Sequence, residues 1–84
     1  MVTKNIEIKI PTGLEARPVA LLVQVASRYE SSIYIQSEDK KVNAKSIMGM
    51  MSLGLAAGEK IQVTATGTDE GAAIEGIETY LSGN

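Results

Sequence analysis

A carboxylate, a guanidinium and a proline stand within four residues of one another in the stretch TGLEARPVALLVQVAS: Glu15, Arg17 and Pro18. The segment reads as a turn opening a helix, and a helix start presents bare backbone N–H groups and the positive end of the helix dipole. Such a place favours negative charge, either a carboxylate or a phosphoryl group held with the help of Arg17. A second such place lies in KKVNAKSIMGMM, where Ser46 precedes a short apolar run and has Lys45 beside it. A serine at this point is an N-cap candidate. Its hydroxyl is also open to modification, because a phosphate of about −1.5 to −2 charge would meet the free N–H groups that follow it. Ile47, Met48, Met50 and Met51 come next. So short a helix cannot hide all of them against one small sheet. Met50 and Leu53 are expected in the core, while Ile47, Met48 and Met51 form an exposed, adaptable patch bordered by Ala20 and Gln24 of the first helix.

The elements that must position these groups follow from periodicity. Residues 2–10 alternate, with Ile6, Ile8 and Ile10 on one side and Asn5, Glu7 and Lys9 on the other, which is a half-buried strand. Pro11 and Gly13 end it. Residues 16–28 are helical: Val19, Leu22, Val23 and Ala26 recur at i, i+3, i+4 and i+7. Pro18 is tolerated there because the first turn has no N–H partner to lose. A second strand over 32–36 turns inward Ile33 and Ile35, a polar turn spans 37–41, and a short strand returns over 41–45. Ser46 then caps a short helix over 47–53, and Gly54 and Gly58 bracket a loop. Residues 60–66 alternate through Ile61, Val63 and Ala65 as a fourth strand. Residues 69–81 form the last helix, with Asp69 as its cap and Ala73, Ile74, Ile77 and Leu81 as its buried stripe. The order is βαββαβα in a single domain over residues 1–84. Since every strand alternates, each has one solvated face. The expectation is an α+β open-faced β-sandwich: a four-stranded antiparallel sheet with three helices on one face.

Composition narrows the chemistry. The chain has 84 residues, 44% of them hydrophobic, and neither cysteine nor histidine. Disulfides, thiol catalysis, thiolate metal sites and imidazole acid–base chemistry are therefore out of reach. A net charge of −2 and three aromatic residues, all tyrosine, argue against direct nucleic-acid binding, which usually needs a basic face or a stacking platform. Lys4, Glu7 and Lys9 interrupt anything like a secretory signal, and no apolar run approaches the length of a membrane span. The reading is a cytoplasmic protein with no direct contact to membrane or nucleic acid.

Both quoted stretches carry a family likeness. TGLEARPVALLVQVAS resembles the active-site segment of HPr, the histidine-containing phosphocarrier of the bacterial sugar phosphotransferase system, whose pattern is G-[LI]-H-A-R-P. KKVNAKSIMGMMSLGLAAGEKIQV resembles the regulatory serine segment of that family, N-x-K-S-[IL]-M-G, in its Gram-positive form. The likeness covers the whole chain in order and length. It departs from the family at one decisive position: Glu15 stands where the family has its phosphorylated histidine.

The resemblance implies partners and roles. In the family the histidine receives phosphate from phosphoenolpyruvate through enzyme I, and a glutamate cannot form phosphohistidine. A carboxylate can accept phosphate elsewhere, but such sites bring Mg²⁺ and several acids, and no acidic cluster accompanies Glu15. Glu15 instead supplies a permanent charge beside Arg17, in part resembling the phosphorylated state. Ser46 corresponds to the serine modified by HPr kinase/phosphorylase. In the family the seryl-phosphorylated form binds catabolite control protein A, a LacI-type transcription factor, and Arg17 and the short helix contribute to that contact. The implied function is phospho-switched protein binding in carbon catabolite repression, with no catalysis, cofactor or metal. The partners are HPr kinase/phosphorylase, a catabolite control protein A-like transcription factor and proteins of the phosphotransferase system. The partner-binding residues are Glu15, Arg17, Ala20, Gln24, Ile47, Met48 and Met51. In its missing histidine the chain resembles the catabolite-repression HPr-like proteins of bacilli, which also lack the histidine but carry glutamine in its place. The alternative is an ordinary HPr phosphocarrier whose histidine has been replaced by glutamate in the laboratory. A third reading, an enzyme or small-molecule binder on the same scaffold, would need a pocket lined by convergent polar groups.

Overall fold

The computed structural model describes residues 1–11 and 16–83. Within them, β1 (Val2–Glu7), α1 (Ala16–Ser27), β2 (Ser32–Ser37), β3 (Lys40–Asn43), α2 (Ile47–Met51), β4 (Lys60–Thr66) and α3 (Glu70–Leu81) follow in the expected order. The strands form one sheet, β1-β4-β2-β3, in which every pairing is antiparallel. The register places Asn5 beside Gln62 and Gln62 beside Gln36, all on the open face, and Ile6 beside Ile61 on the covered one. The architecture is thus the α+β open-faced sandwich that strand alternation implies.

Burial follows the two periodicities. Ile33, Ile35, Ile61, Val63 and Ala65 point from the sheet into the core. Val19, Leu22, Val23 and Ala26 of α1 meet them, as do Ala73, Ile74, Ile77 and Leu81 of α3. α1 packs on both α2 and α3, so the three helices form one layer. Tyr80 on α3 donates its hydroxyl to the carbonyl of Pro18 at 2.8 Å, which pins the first turn of α1. Burial pushes the Tyr80 phenol up, so it stays a proton donor across the physiological range.

Several boundaries differ from the periodic reading, each for a visible reason. β1 stops at Glu7 instead of residue 10, although Ile8 is fully buried. From Ile8 onward the chain exchanges its sheet partner for loops and a helix end. The Ile8 N–H donates to the Glu59 carbonyl and the Lys9 N–H to the Leu81 carbonyl, both at 2.8 Å. The β2–β3 turn contracts to Glu38 and Asp39, because the ladder continues to Ser37↔Lys40. Glu38 there adopts φ 56, a left-handed conformation uncommon for a side-chain-bearing residue. β3 ends at Asn43 and not at residue 45, since the Asn43 side-chain oxygen takes the Lys45 N–H at 2.8 Å and bends the chain out of the ladder. α1 ends at Ser27, one residue early. α2 ends at Met51: Ser52 closes it, its hydroxyl donating to the Gly49 carbonyl at 2.6 Å.

Asp69 precedes α3 but makes no side-chain cap bond to it. Its carboxylate reaches instead across to the α1–β2 connection, accepting from the N–H groups of Glu30 (2.9 Å) and Ser31 (3.0 Å) and from the Ser31 hydroxyl. The three donors, the Ser31 hydroxyl foremost and then the Glu30 N–H, hold the Asp69 carboxyl below its ordinary range. Glu70 accepts from the Gly67 N–H at 3.1 Å, and its other oxygen pairs with the amino terminus at 3.1 Å.

Candidate functional site: the α1–α2 surface

Ser46 sits at the N-cap of α2 in an extended conformation, φ −107 and ψ 114. Its side-chain oxygen accepts the Gly49 N–H at 3.1 Å, the cap geometry expected of a serine in this position. The backbone around it is held on both sides. Ser46 donates its N–H to the Asn43 carbonyl at 3.0 Å and accepts from the Met50 N–H at 2.9 Å. Glycine at 49 is part of the arrangement: a Cβ there would lie 3.2 Å from the Ser46 oxygen and 3.4 Å from Val42 Cβ. Any larger residue would crowd the hydroxyl. Ser46 is half-buried.

Lys45 is not aimed at that hydroxyl. Its ammonium donates to the Tyr29 carbonyl at 2.6 Å, just past the end of α1, where the helix dipole favours a cation. The sequence places a positive charge next to Ser46; the fold commits it to another element.

Beyond the cap, α2 divides its side chains sharply. Met50 is fully buried in the core, whereas Ile47, Met48 and Met51 are 47%, 84% and 50% exposed. Leu53 is half-buried and packs against the core. On α1, which packs against α2, Arg17 and Gln24 are exposed and Ala20 is half-buried. Leu21 joins them at 44% exposure. It is one helical turn from Arg17 and from Gln24, so the four form a continuous outward stripe. Leu21 escaped the sequence reading, which followed the buried stripe. The available signal was an apolar residue lying off that stripe. Glu15 falls outside the described residues, and so does its geometry relative to Arg17.

The surface is open. One groove on the molecule crosses the bare face of the sheet, lined by Asn5, Gln36, Lys60 and Gln62 among others. Another runs between α1 and α3, beside Arg28, Tyr29, Glu75 and Tyr80. Neither contains Arg17, Ser46 or an exposed methionine. Among the described residues no three His, Cys, Asp or Glu side chains cluster closely enough to hold a metal ion. Nor is any described helix long and apolar enough to cross a membrane. A half-buried hydroxyl on a rigid cap, next to exposed flexible apolar side chains, is suited to modification and protein contact.

Fold and surface define a small α+β open-faced sandwich with an exposed apolar patch on α2, and comparison with known proteins gives its family. Residues 2–82 match the family model described as the PTS HPr component phosphorylation site, and the chain belongs to the HPr family. It is 49% identical over 81 residues to the HPr-like protein Crh of Halalkalibacterium halodurans, covering 96% of each chain. Among solved structures it resembles the phosphocarrier protein HPr of Bacillus anthracis, with a TM-score of 0.93 and 44% identity over 95% of each chain. It is also similar to the crystal structure of Crh, the catabolite repression protein of Bacillus subtilis. There the TM-score is 0.79 and the identity 44%, over 99% of this chain and 95% of that one.

Proposed function

We propose that this chain is a regulatory, non-carrier member of the HPr family. In this reading it is switched by phosphorylation of Ser46 and docks through α1 and α2 onto a transcriptional regulator of carbon catabolite repression. The observation that carries the reading is the adjacency of a capped, half-buried hydroxyl at Ser46 and the exposed Ile47–Met48–Met51 surface. A phosphate on Ser46 would create a composite epitope, a dianion bordered by apolar side chains, in a segment already ordered by backbone bonds. With Lys45 engaged at the Tyr29 carbonyl, the phosphate would find its strongest cationic partner on the docking protein. The likeness to Crh proteins supports the regulatory assignment. The absence of histidine from the whole sequence leaves no imidazole to carry phosphate. HPr kinase/phosphorylase is the modifying partner in this reading, and Arg17 contributes to the regulator contact.

The test is intact-mass spectrometry after incubation with ATP and HPr kinase/phosphorylase. One phosphate is expected on the wild-type chain and none on Ser46→Ala. The regulator should bind the phosphorylated form, and Arg17→Ala should weaken that binding. Absence of phosphate, under conditions where an ordinary HPr is modified, would overturn the switch and leave Ser46 a plain helix cap.

A further inference from the structure

All the sulfur in this chain is methionine: four residues, with no cysteine to compete for an oxidant. Three of the four lie together in α2, and the fold treats them unequally. Met48 is 84% exposed and Met51 is 50% exposed, while Met50 between them is sealed in the core at 0%. The fourth, Met1, is exposed at the far end of the sequence. Oxidation of a thioether tracks its accessibility. A sulfoxide is polar and chiral, so it removes the apolar and adaptable character for which a methionine surface is suited.

We propose that Met48 and Met51 form a reversible oxidation site that switches off the α2 docking surface without unfolding the domain. The effect on docking rests on the regulatory reading above; the selectivity of the site does not. The chemistry is oxygen-atom transfer from a peroxide. A sulfur–oxygen bond forms and the peroxide O–O bond breaks. The sulfur is oxidised by two electrons and the remaining peroxide oxygen leaves as water. Reversal requires a sulfoxide reductase with a dithiol donor: the dithiol becomes a disulfide and the sulfoxide oxygen leaves as water. Met50 makes the device reversible in structural terms. Because it stays reduced, the apolar anchor that seats α2 on the core is retained. The Ser46–Gly49 cap bond is formed by neither exposed side chain, so the phosphorylation site keeps its geometry after oxidation.

The experiment treats the whole protein with limiting hydrogen peroxide and follows each methionine by tandem mass spectrometry. Trypsin cleavage after Lys45 and Lys60 places Met48, Met50 and Met51 in one peptide, residues 46–60, so their relative rates are read from the same ion series. Met48 should oxidise first and Met51 next. Met50 should lag by roughly tenfold or more, because it must wait for local opening. The oxidised protein should keep its thermal midpoint, lose retention on a hydrophobic-interaction column, and recover on treatment with methionine sulfoxide reductase. Equal rates at Met48 and Met50, or unfolding in step with oxidation, would overturn the proposal.

The docking arm compares regulator binding by the Ser46-phosphorylated protein before and after oxidation. Affinity should fall by about tenfold, and regulator binding by the M48L/M51L double variant should be insensitive to peroxide. Unchanged affinity after oxidation would overturn the switch while leaving the regulatory function intact. If the reduced, phosphorylated protein does not bind at all, the regulatory reading fails, and with it the claim of a docking switch. The site selectivity then stands or falls on the peptide rates alone.

Discussion

Met48 and Met50 lie two residues apart on the same short helix and should answer the same substitution in opposite ways. Met50 is fully enclosed by the core and Met48 projects from it. Truncating a buried methionine to alanine removes its transfer free energy and leaves a cavity, together about 2–5 kcal/mol. A domain of this length has roughly 4–13 kcal/mol of net stability. Met50→Ala should therefore remove a large part of it and lower Tm by at least about 8 °C, at about 4–8 °C per kcal/mol. Met48→Ala has little packing to lose and should stay within about 0.5 kcal/mol of wild type.

Binding should reverse the order of importance. Removing the thioether arm of Met48 deletes apolar contact area from the proposed docking surface. About 1–2 kcal/mol is at stake, or a five- to thirtyfold rise in Kd for the regulator. Met50→Ala should act on affinity only by loosening α2. Urea and thermal melts by circular dichroism give the stabilities. Calorimetric titration of the Ser46-phosphorylated variants, well below either melting midpoint, gives the affinities. Destabilisation of more than about 1 kcal/mol by Met48→Ala would mean that its side chain is packed and the patch is not free. Unchanged affinity in that variant would move the docking surface off α2.

Three further outcomes test the fold that holds this surface. Gly67 has φ 155, and a Cβ there would lie 2.7 Å from the Cα and the side-chain oxygen of Ser31. Gly67→Ala must displace backbone and should cost about 2–3 kcal/mol in urea unfolding; wild-type stability would show that the 67–69 segment moves freely away from Ser31. The Asp69 carboxyl is held low by the Ser31 hydroxyl and then the Glu30 N–H, and that of Glu70 by the Gly67 N–H and then the amino terminus. Folding therefore favours their charged forms. The stability they contribute is present above the ordinary carboxylate pKa of about 4 and is lost as pH falls through the lowered folded values. Asp69→Asn should flatten the acid limb of a stability–pH profile, and an identical limb would refute the assignment. Finally, Glu38 adopts φ 56 in a two-residue turn. Glu38→Gly should raise stability by about 0.5–1 kcal/mol, relief of strain outweighing the added freedom of the unfolded chain. A lower urea midpoint would mean that the glutamate side chain earns its place there.

What was legible in the sequence was whatever is decided locally. Alternation through Ile33 and Ile35 or Ile61 and Val63 needs only a pleat and one dry face, and the Ser46 cap needs only the next three residues. The Asp69 side chain departs from the cap reading because two sets of donors compete for one carboxylate. A local rule assigns it to its own helix. The fold brings it to three donors at Glu30 and Ser31, 38 residues away from the latter in sequence, and that cluster wins. Leu21 was passed over for a related reason: its exposure acquires meaning only once α1 lies beside α2. Lys45 is the most consequential case. Adjacency in sequence makes it the natural counter-ion for a phosphate on Ser46, but its ammonium lies against the Tyr29 carbonyl. Displacing it would give up a charge-assisted bond at the end of α1, a contact of the kind worth about 1.5–3 kcal/mol. A modified Ser46 would thus meet the backbone N–H groups of α2 without Lys45 as its counter-ion, and in the proposed reading a cation supplied by the partner neutralises it. The same tertiary bond that the sequence hides is the reason a phosphate here would favour association over internal rearrangement.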